Sequence, residues 1–240
     1  MTDSPSPSEL APPAEHDHRS VTGGVARATV FGVSDGLVSN VSLILGVAGA
    51  GTTAAIVRTA GVAGLVAGAF SMAAGEYVSM KAQRELLERE LAVERRELAR
   101  HPHAETVELA HIYMARGVAP DTAREVAAEL MKDPETALEA HARDELGIDP
   151  GSLGSPWGAA GSSFLAFCLG AFIPLVPWLF GSGDAAKLAS VVVAAIAAAI
   201  VGALLARFTG RSILFSASRQ VLIAAVAASV TYGIGVLLGT

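Results

Sequence analysis

Residues 57–100 read VRTAGVAGLVAGAFSMAAGEYVSMKAQRELLERELAVERRELAR. The first half, Val57 to Met80, is apolar and rich in glycine, and its single acid, Glu76, follows Met72 by one helical turn. The second half, from Lys81 onward, is among the most charged parts of the chain, and no proline separates the two halves. A stretch that is first lipid-like and then acidic, with no break, predicts one continuous helix that leaves a membrane and becomes a soluble stalk. The remaining segments must then pack beside the first half or fold onto the second.

Composition supports that division. Charged residues make up 17% of the 240 positions, against about 25% in an average soluble domain, and the deficit is uneven. Residues 81–150 hold 16 of the 23 acidic and 10 of the 17 basic residues, so the net charge of −6 resides in this segment. The flanks are nearly charge-free over long runs, the mark of membrane spans. An acidic insert disfavours nucleic acid, which needs a basic surface, and favours metal cations or protons. Cys168 is the only cysteine, which excludes an intrachain disulfide and a cysteine-based zinc site.

The expected fold is an all-α integral membrane protein of five transmembrane helices, with a cytoplasmic helical insert between the second and third. Residues 1–24, rich in proline and serine, read as a disordered tail. Residues 25–80 hold the first two spans, about 26–50 and 57–80. Residues 81–150 form the acidic helical metal-binding domain. Within it, His101-Pro102, Gly117, Asp133-Pro134 and Gly147 punctuate four helical segments. Residues 151–240 hold the last three spans, about 157–180, 186–206 and 221–238. Arg207, Arg211 and Arg219 are expected in the loop before the last span. Basic residues mark cytoplasmic loops, so the amino terminus and insert are expected inside and the carboxyl terminus outside.

Counting from the cytoplasmic ends at about 1.5 Å per residue, Asp35 and Met72 lie at similar depths on antiparallel neighbours. Glu76 is one turn below Met72. Carboxylates inside lipid are costly unless they face water, a partner or an ion, and no basic residue in the spans offers itself to Asp35 or Glu76. A cation path is the economical reading. A carboxylate with a thioether favours borderline transition metals over Mg²⁺ or Ca²⁺. In the insert, Glu94 and Glu97 share a helix face, and Glu105 and Glu108 repeat the spacing after the His101-Pro102 break. Converging carboxylates repel unless cations bind between them, and Glu145 is placed to close such a site. Glu108-Leu-Ala-His111 matches one Glu-x-x-His element of ferritin-like di-iron bundles, and the spacing recurs only at Glu15-His-Asp-His18, in the stretch read as a disordered tail, which offers no second helix-borne copy.

These motifs together resemble the vacuolar iron transporter family. The resemblance rests on Phe31-Gly-Val-Ser-Asp-Gly-Leu-Val-Ser-Asn40, Ser71-Met-Ala-Ala-Gly-Glu-Tyr-Val-Ser79, the glutamate pairs at 94/97 and 105/108, and Glu145-Leu-Gly147. It covers about residues 25–240. It implies a homodimeric exporter of Fe²⁺ from the cytosol, proton-coupled, with no permanent cofactor and no enzymatic activity. It also implies that Asp35, Met72 and Glu76 line the membrane path, and that Glu94, Glu97, Glu105, Glu108 and Glu145 bind metal in the insert. Where the family's insert site looks to carry a methionine, this chain has His141, which bears on the choice among Fe²⁺, Mn²⁺ and Zn²⁺. The Ala-, Gly- and Arg-rich usage suits a bacterium, with the plasma membrane taking the place of a vacuole. The alternative is a membrane-anchored, ferritin-like iron-oxidising or iron-storage protein.

Overall fold

The computed structural model describes residues 24–239; the expected tail therefore lies almost wholly outside the described residues. Those residues form eight α-helices and one 3₁₀ turn, and no strand occurs among them. The helices are α1 (Gly24–Gly49), α2 (Ala54–Arg100), α3 (Pro102–Ala115), α4 (Pro120–Leu130), α5 (Pro134–Asp144), α6 (Pro156–Phe180), α7 (Gly183–Thr209) and α8 (Ile213–Leu238). Five of them, α1, α2, α6, α7 and α8, are long and apolar enough to cross a membrane.

α2 runs for 47 residues without a break. Thr53 caps its start by accepting from the Ile56 amide, and it stops at His101 because Pro102 has no amide hydrogen to continue the ladder. Prolines stand in the first turn of α3, α4, α5 and α6, where a missing amide costs nothing.

α1 is the centre of the membrane bundle and packs against α2, α6, α7 and α8. Backbones touch where glycines meet. A methyl group at Gly36 would collide with Phe167 O on α6, and one at Gly170 would collide with Val33 O on α1. Gly46 and Gly235 make the equivalent approach between α1 and α8. In lipid such contacts supply dispersion energy that the hydrophobic effect does not. Polar side chains reach carbonyls of α6 around its internal Pro174 and Pro177. Asn40 Nδ2 donates to Ala171 O (2.6 Å), Ser190 Oγ to Pro174 O (2.6 Å) and Arg58 Nη1 to Trp178 O (3.3 Å).

Two expectations need correction. The helix that carries the last span begins at Ile213, so Arg219 lies on α8 and not in a loop. The run 212–220 is polar, but Ser216 and Gln220 are buried, and Gln220 Nε2 donates to Ser34 Oγ on α1. Part of the polarity, Ser216 and Gln220, faces neighbouring helices, and the run does not mark a turn. The second correction concerns Glu76, which has a basic partner. Arg27 Nη2 stands 3.0 Å from Glu76 Oε2.

Candidate metal centre and membrane cleft

Three helices of the insert converge on one imidazole. The distal part of α2 brings Glu94, the first turn of α3 brings Glu105, and α5 brings His141 with Glu145 at its C-cap. His141 Nδ1 lies 3.2 Å from Glu94 Oε1, 3.3 Å from Glu145 Oε2 and 3.8 Å from Glu105 Oε2. His141 is fully buried, Glu94 and Glu105 are buried, and the Glu145 side chain is 32% exposed. One ligand atom from each of Glu94, Glu105 and His141 lies within 4.8 Å of the others, a span that suits a single metal ion.

The electrostatics of this cluster are unfavourable without a cation. Burial and the neighbouring Glu145 carboxylate push Glu94 above the ordinary glutamate range. Burial and Glu108 do the same to Glu105. Glu94 Oε1 and His141 Nε2 are buried without a hydrogen-bond partner among the described residues. Of the remaining candidates, Glu108 is exposed and Glu97 is half-buried beside His101, 3.8 Å away. Both sit close enough for their charge to raise Glu105. His111 is exposed and stands apart from the cluster.

A lock not evident from sequence holds α5 in place. Tyr113 donates to Asp144 Oδ2 (2.9 Å), Arg116 pairs with the same carboxylate, and Arg116 Nη2 donates to Asp144 O (2.8 Å). Burial raises Asp144, but Arg116 and Tyr113 outweigh it and hold the carboxyl below its usual range. Burial and the Asp144 bond push the Tyr113 phenol up to about 12. Asp144 directly precedes Glu145, so the lock also positions that ligand candidate. Nothing in the spacing of 113, 116 and 144 signals it.

In the membrane half, α1 and α2 enclose a cleft of about 370 Å³. Asp35 and Ser39 of α1 line one wall, Gly64, Gly68, Ser71 and Met72 of α2 the other, and Phe167 of α6 also contributes. The register of the two helices follows from their contacts: Gly61 meets Ile44, Gly64 meets Leu43 and Asn40, and Met80 packs with Ala28. Interpolation sets Asp35 level with Met72. Asp35 is exposed on this face and Met72 is half-buried. Glu76 is not among the lining residues; it is buried one turn lower, against Arg27.

The family model for the VIT family matches residues 26–236. The chain is 35% identical over 221 residues to "Vacuolar iron transporter 2" of Oryza sativa subsp. japonica, covering 91% of this chain and 90% of that one. It is 34% identical over 219 residues to "Vacuolar iron transporter 1" of Arabidopsis thaliana, covering 90% and 88%. It is 38% identical over 231 residues to "Vacuolar iron transporter" of Acanthamoeba castellanii, covering 93% and 83%. With a match over nearly the whole chain and relatives covered almost end to end, the chain belongs to the VIT family, a family of transporters.

Proposed function

We propose that this chain exports Fe²⁺ from the cytosol across the membrane in which its five long helices sit. The observation that carries the reading is the reach of α2, which holds Met72 in the cleft and Glu94 in the buried carboxylate and imidazole cluster. The 22 helical steps from Met72 to Glu94 span roughly 33 Å at 1.5 Å per residue. One rigid element thus connects a capture site in the insert to a path in the membrane.

In this mechanism the insert gathers the ion through Glu94, Glu105, Glu145 and His141, with Glu97 and Glu108 supplying further negative charge. A carboxylate-rich set with one imidazole suits Fe²⁺, Mn²⁺ and Zn²⁺, so His141 widens the range of metals beyond a thioether-containing site. The ion then enters the cleft, where Asp35 and Met72 bind it. Protons arriving from the far side displace it from Asp35 and drive the cycle as an antiport. The cleft is open along the exposed face of α1 and α2, which supports a homodimer in which the same face of a second copy completes the path. The insert and amino terminus face the cytosol, and the host membrane is a bacterial plasma membrane.

The test is uptake into proteoliposomes under a pH gradient, with Fe²⁺, Mn²⁺, Zn²⁺ and Ca²⁺ offered separately and Asp35→Ala as control. Transition-metal movement that collapses with the gradient and is lost in the variant supports the exchanger. Metal held by the insert with no movement of any ion supports the oxidase or storage reading. The exposed position of His111 disfavours that reading, because a di-iron centre needs its Glu-x-x-His histidine turned inward.

A further inference from the structure

Glu76 is a carboxylate of the second span that the cleft leaves out, and its surroundings give it a different task. Arg27, Phe31, Asp35 and Ser39 recur at every fourth position along one exposed stripe of α1. Arg27 is the foot of that stripe, two turns from Asp35 toward the end of α1 that lies beside the insert. On α2, Glu76 is one turn from Met72 in the same direction. The Arg27–Glu76 pair therefore closes the two walls together just below the cleft. The pair is lopsided: the Arg27 side chain is 64% exposed, whereas that of Glu76 is 10% exposed. The carboxylate is enclosed by the protein and the guanidinium reaches it from the exposed side.

We infer that Arg27 is a resident counter-cation on Glu76 at the insert-side mouth of the cleft, displaced by a divalent metal ion but not by a monovalent one, so that the pair filters entering ions by charge. The inference rests on the transport reading above. An arginine keeps its charge at every working pH and donates charge-assisted hydrogen bonds. It is also tethered, which gives it a local concentration near Glu76 in the millimolar range or above. A potassium or sodium ion brings the same single charge without those hydrogen bonds, and it must shed water to compete. A divalent transition metal brings twice the charge and approaches a carboxylate oxygen to about 2.0–2.2 Å, closer than the 3.0 Å of the guanidinium. Once displaced, Arg27 returns to water or lipid headgroups from a position already mostly exposed.

The experiment uses the full chain in proteoliposomes. Mn²⁺ uptake is measured with external K⁺ exchanged for a bulky organic cation at constant ionic strength. For Arg27→Gln, the half-saturating Mn²⁺ concentration is expected to fall about three- to tenfold when K⁺ is absent, and K⁺ is expected to become a competitive inhibitor. Wild type and Arg27→Lys are expected to ignore K⁺. Arg27→Gln/Glu76→Gln is expected to lose the K⁺ sensitivity, because the vacant carboxylate is gone. A stably folded Arg27→Gln with unchanged half-saturation and no K⁺ inhibition overturns the inference and leaves the pair as a structural neutralisation. If Arg27→Gln does not fold, Glu76→Asp loosens the pair while keeping both charges; K⁺ inhibition supports the inference there and its absence overturns it. Asp35→Ala separates the two levels. Transport surviving that change removes the pathway reading itself, whereas its loss beside an inert Arg27→Gln removes only the gate.

Discussion

His141 Nδ1 stands 3.2 Å from Glu94 Oε1, and neither that oxygen nor the far ring nitrogen of His141 has a hydrogen-bond partner among the described residues. A buried polar group without a partner costs about 1–3 kcal/mol, and this residue pair carries two such atoms. A metal ion between Glu94, Glu105 and His141 would take up the Glu94 Oε1 lone pair that the protein leaves without a hydrogen bond. His141→Ala is expected to weaken Mn²⁺ and Zn²⁺ binding at least about tenfold, one ligand bond of three or four being lost. His141→Met, which restores a soft ligand of similar size, is expected to recover Fe²⁺ binding better than Zn²⁺ binding. Isothermal titration of the purified full-length protein with each ion checks both. An unchanged Zn²⁺ affinity in the alanine variant removes His141 from the site.

The same cluster makes stability depend on pH. Glu94 and Glu105 are raised by burial and by their acidic neighbours, so in the folded protein they hold protons that the unfolded chain has already released. Stability therefore falls as pH rises from the ordinary glutamate value of about 4.3 through the raised values. Asp133 and Asp144 are lowered, the first by hydrogen bonds from Thr136 and the second by Arg116 and Tyr113 against its burial. They act in the opposite sense and in another window, losing their contribution as pH falls below the ordinary aspartate value of about 3.9. The expected outcome for metal-free protein is a melting temperature that drops as pH rises above the ordinary glutamate value. Mn²⁺ should abolish the drop, since the ion binds the ionised form. Thermal scans with chelator and with Mn²⁺ across this range check it; a flat chelator curve contradicts it.

The cluster and the cleft share only α2, so the proposed capture and passage are expected to be separable. Asp35→Asn is expected to stop transport while leaving metal binding at the insert unchanged. Replacing Glu94, Glu105 and Glu145 together by Gln is expected to raise the half-saturating metal concentration at least about tenfold, each lost charged ligand being worth about 1–3 kcal/mol, with a smaller effect on maximal rate. Proteoliposome uptake paired with titration of the same samples checks the split. Loss of binding in Asp35→Asn would show that the two sites are one coupled unit.

The parts of this design that depend on local pattern were readable in the sequence, and those that depend on three-dimensional neighbours were not. The five spans announce themselves through length and hydropathy. The pairs Glu94/Glu97 and Glu105/Glu108 were visible as candidates, yet spacing alone does not say which member of each turns inward. Residues three apart on a helix differ by about 60° in direction, and the packing of α3 and α5 against α2 decides the matter: Glu94 and Glu105 are buried, while Glu97 is half-buried and Glu108 exposed. Arg27 lies 49 residues from Glu76, and no local pattern joins the two. The polar start of α8 read as a loop because sequence polarity does not distinguish water from a neighbouring helix. His111 carried a motif, but α3 turns it to solvent.

The final expectation concerns how closely the bundle is packed around α1. Gly36 and Gly170 are reciprocal: a methyl group on either meets main-chain atoms of the other helix, Phe167 O in one direction and Val33 O in the other. Backbone cannot rotate away as a side chain can, so Gly170→Ala forces α1 and α6 apart. Overpacking of this kind costs about 1–3 kcal/mol. Gly161, on the same helix, has nothing within 4 Å of its missing methyl, and alanine there is expected to be neutral or slightly stabilising, since it improves helix propensity by up to about 1 kcal/mol. The separation also moves the wall that carries Asp35, because α1 is displaced as one body. Gly170→Ala is therefore expected to lower both the melting temperature in detergent and the transport rate, with Gly161→Ala matching wild type in both. Equal melting temperatures for the two variants would mean that the α1–α6 contact is looser than these distances require.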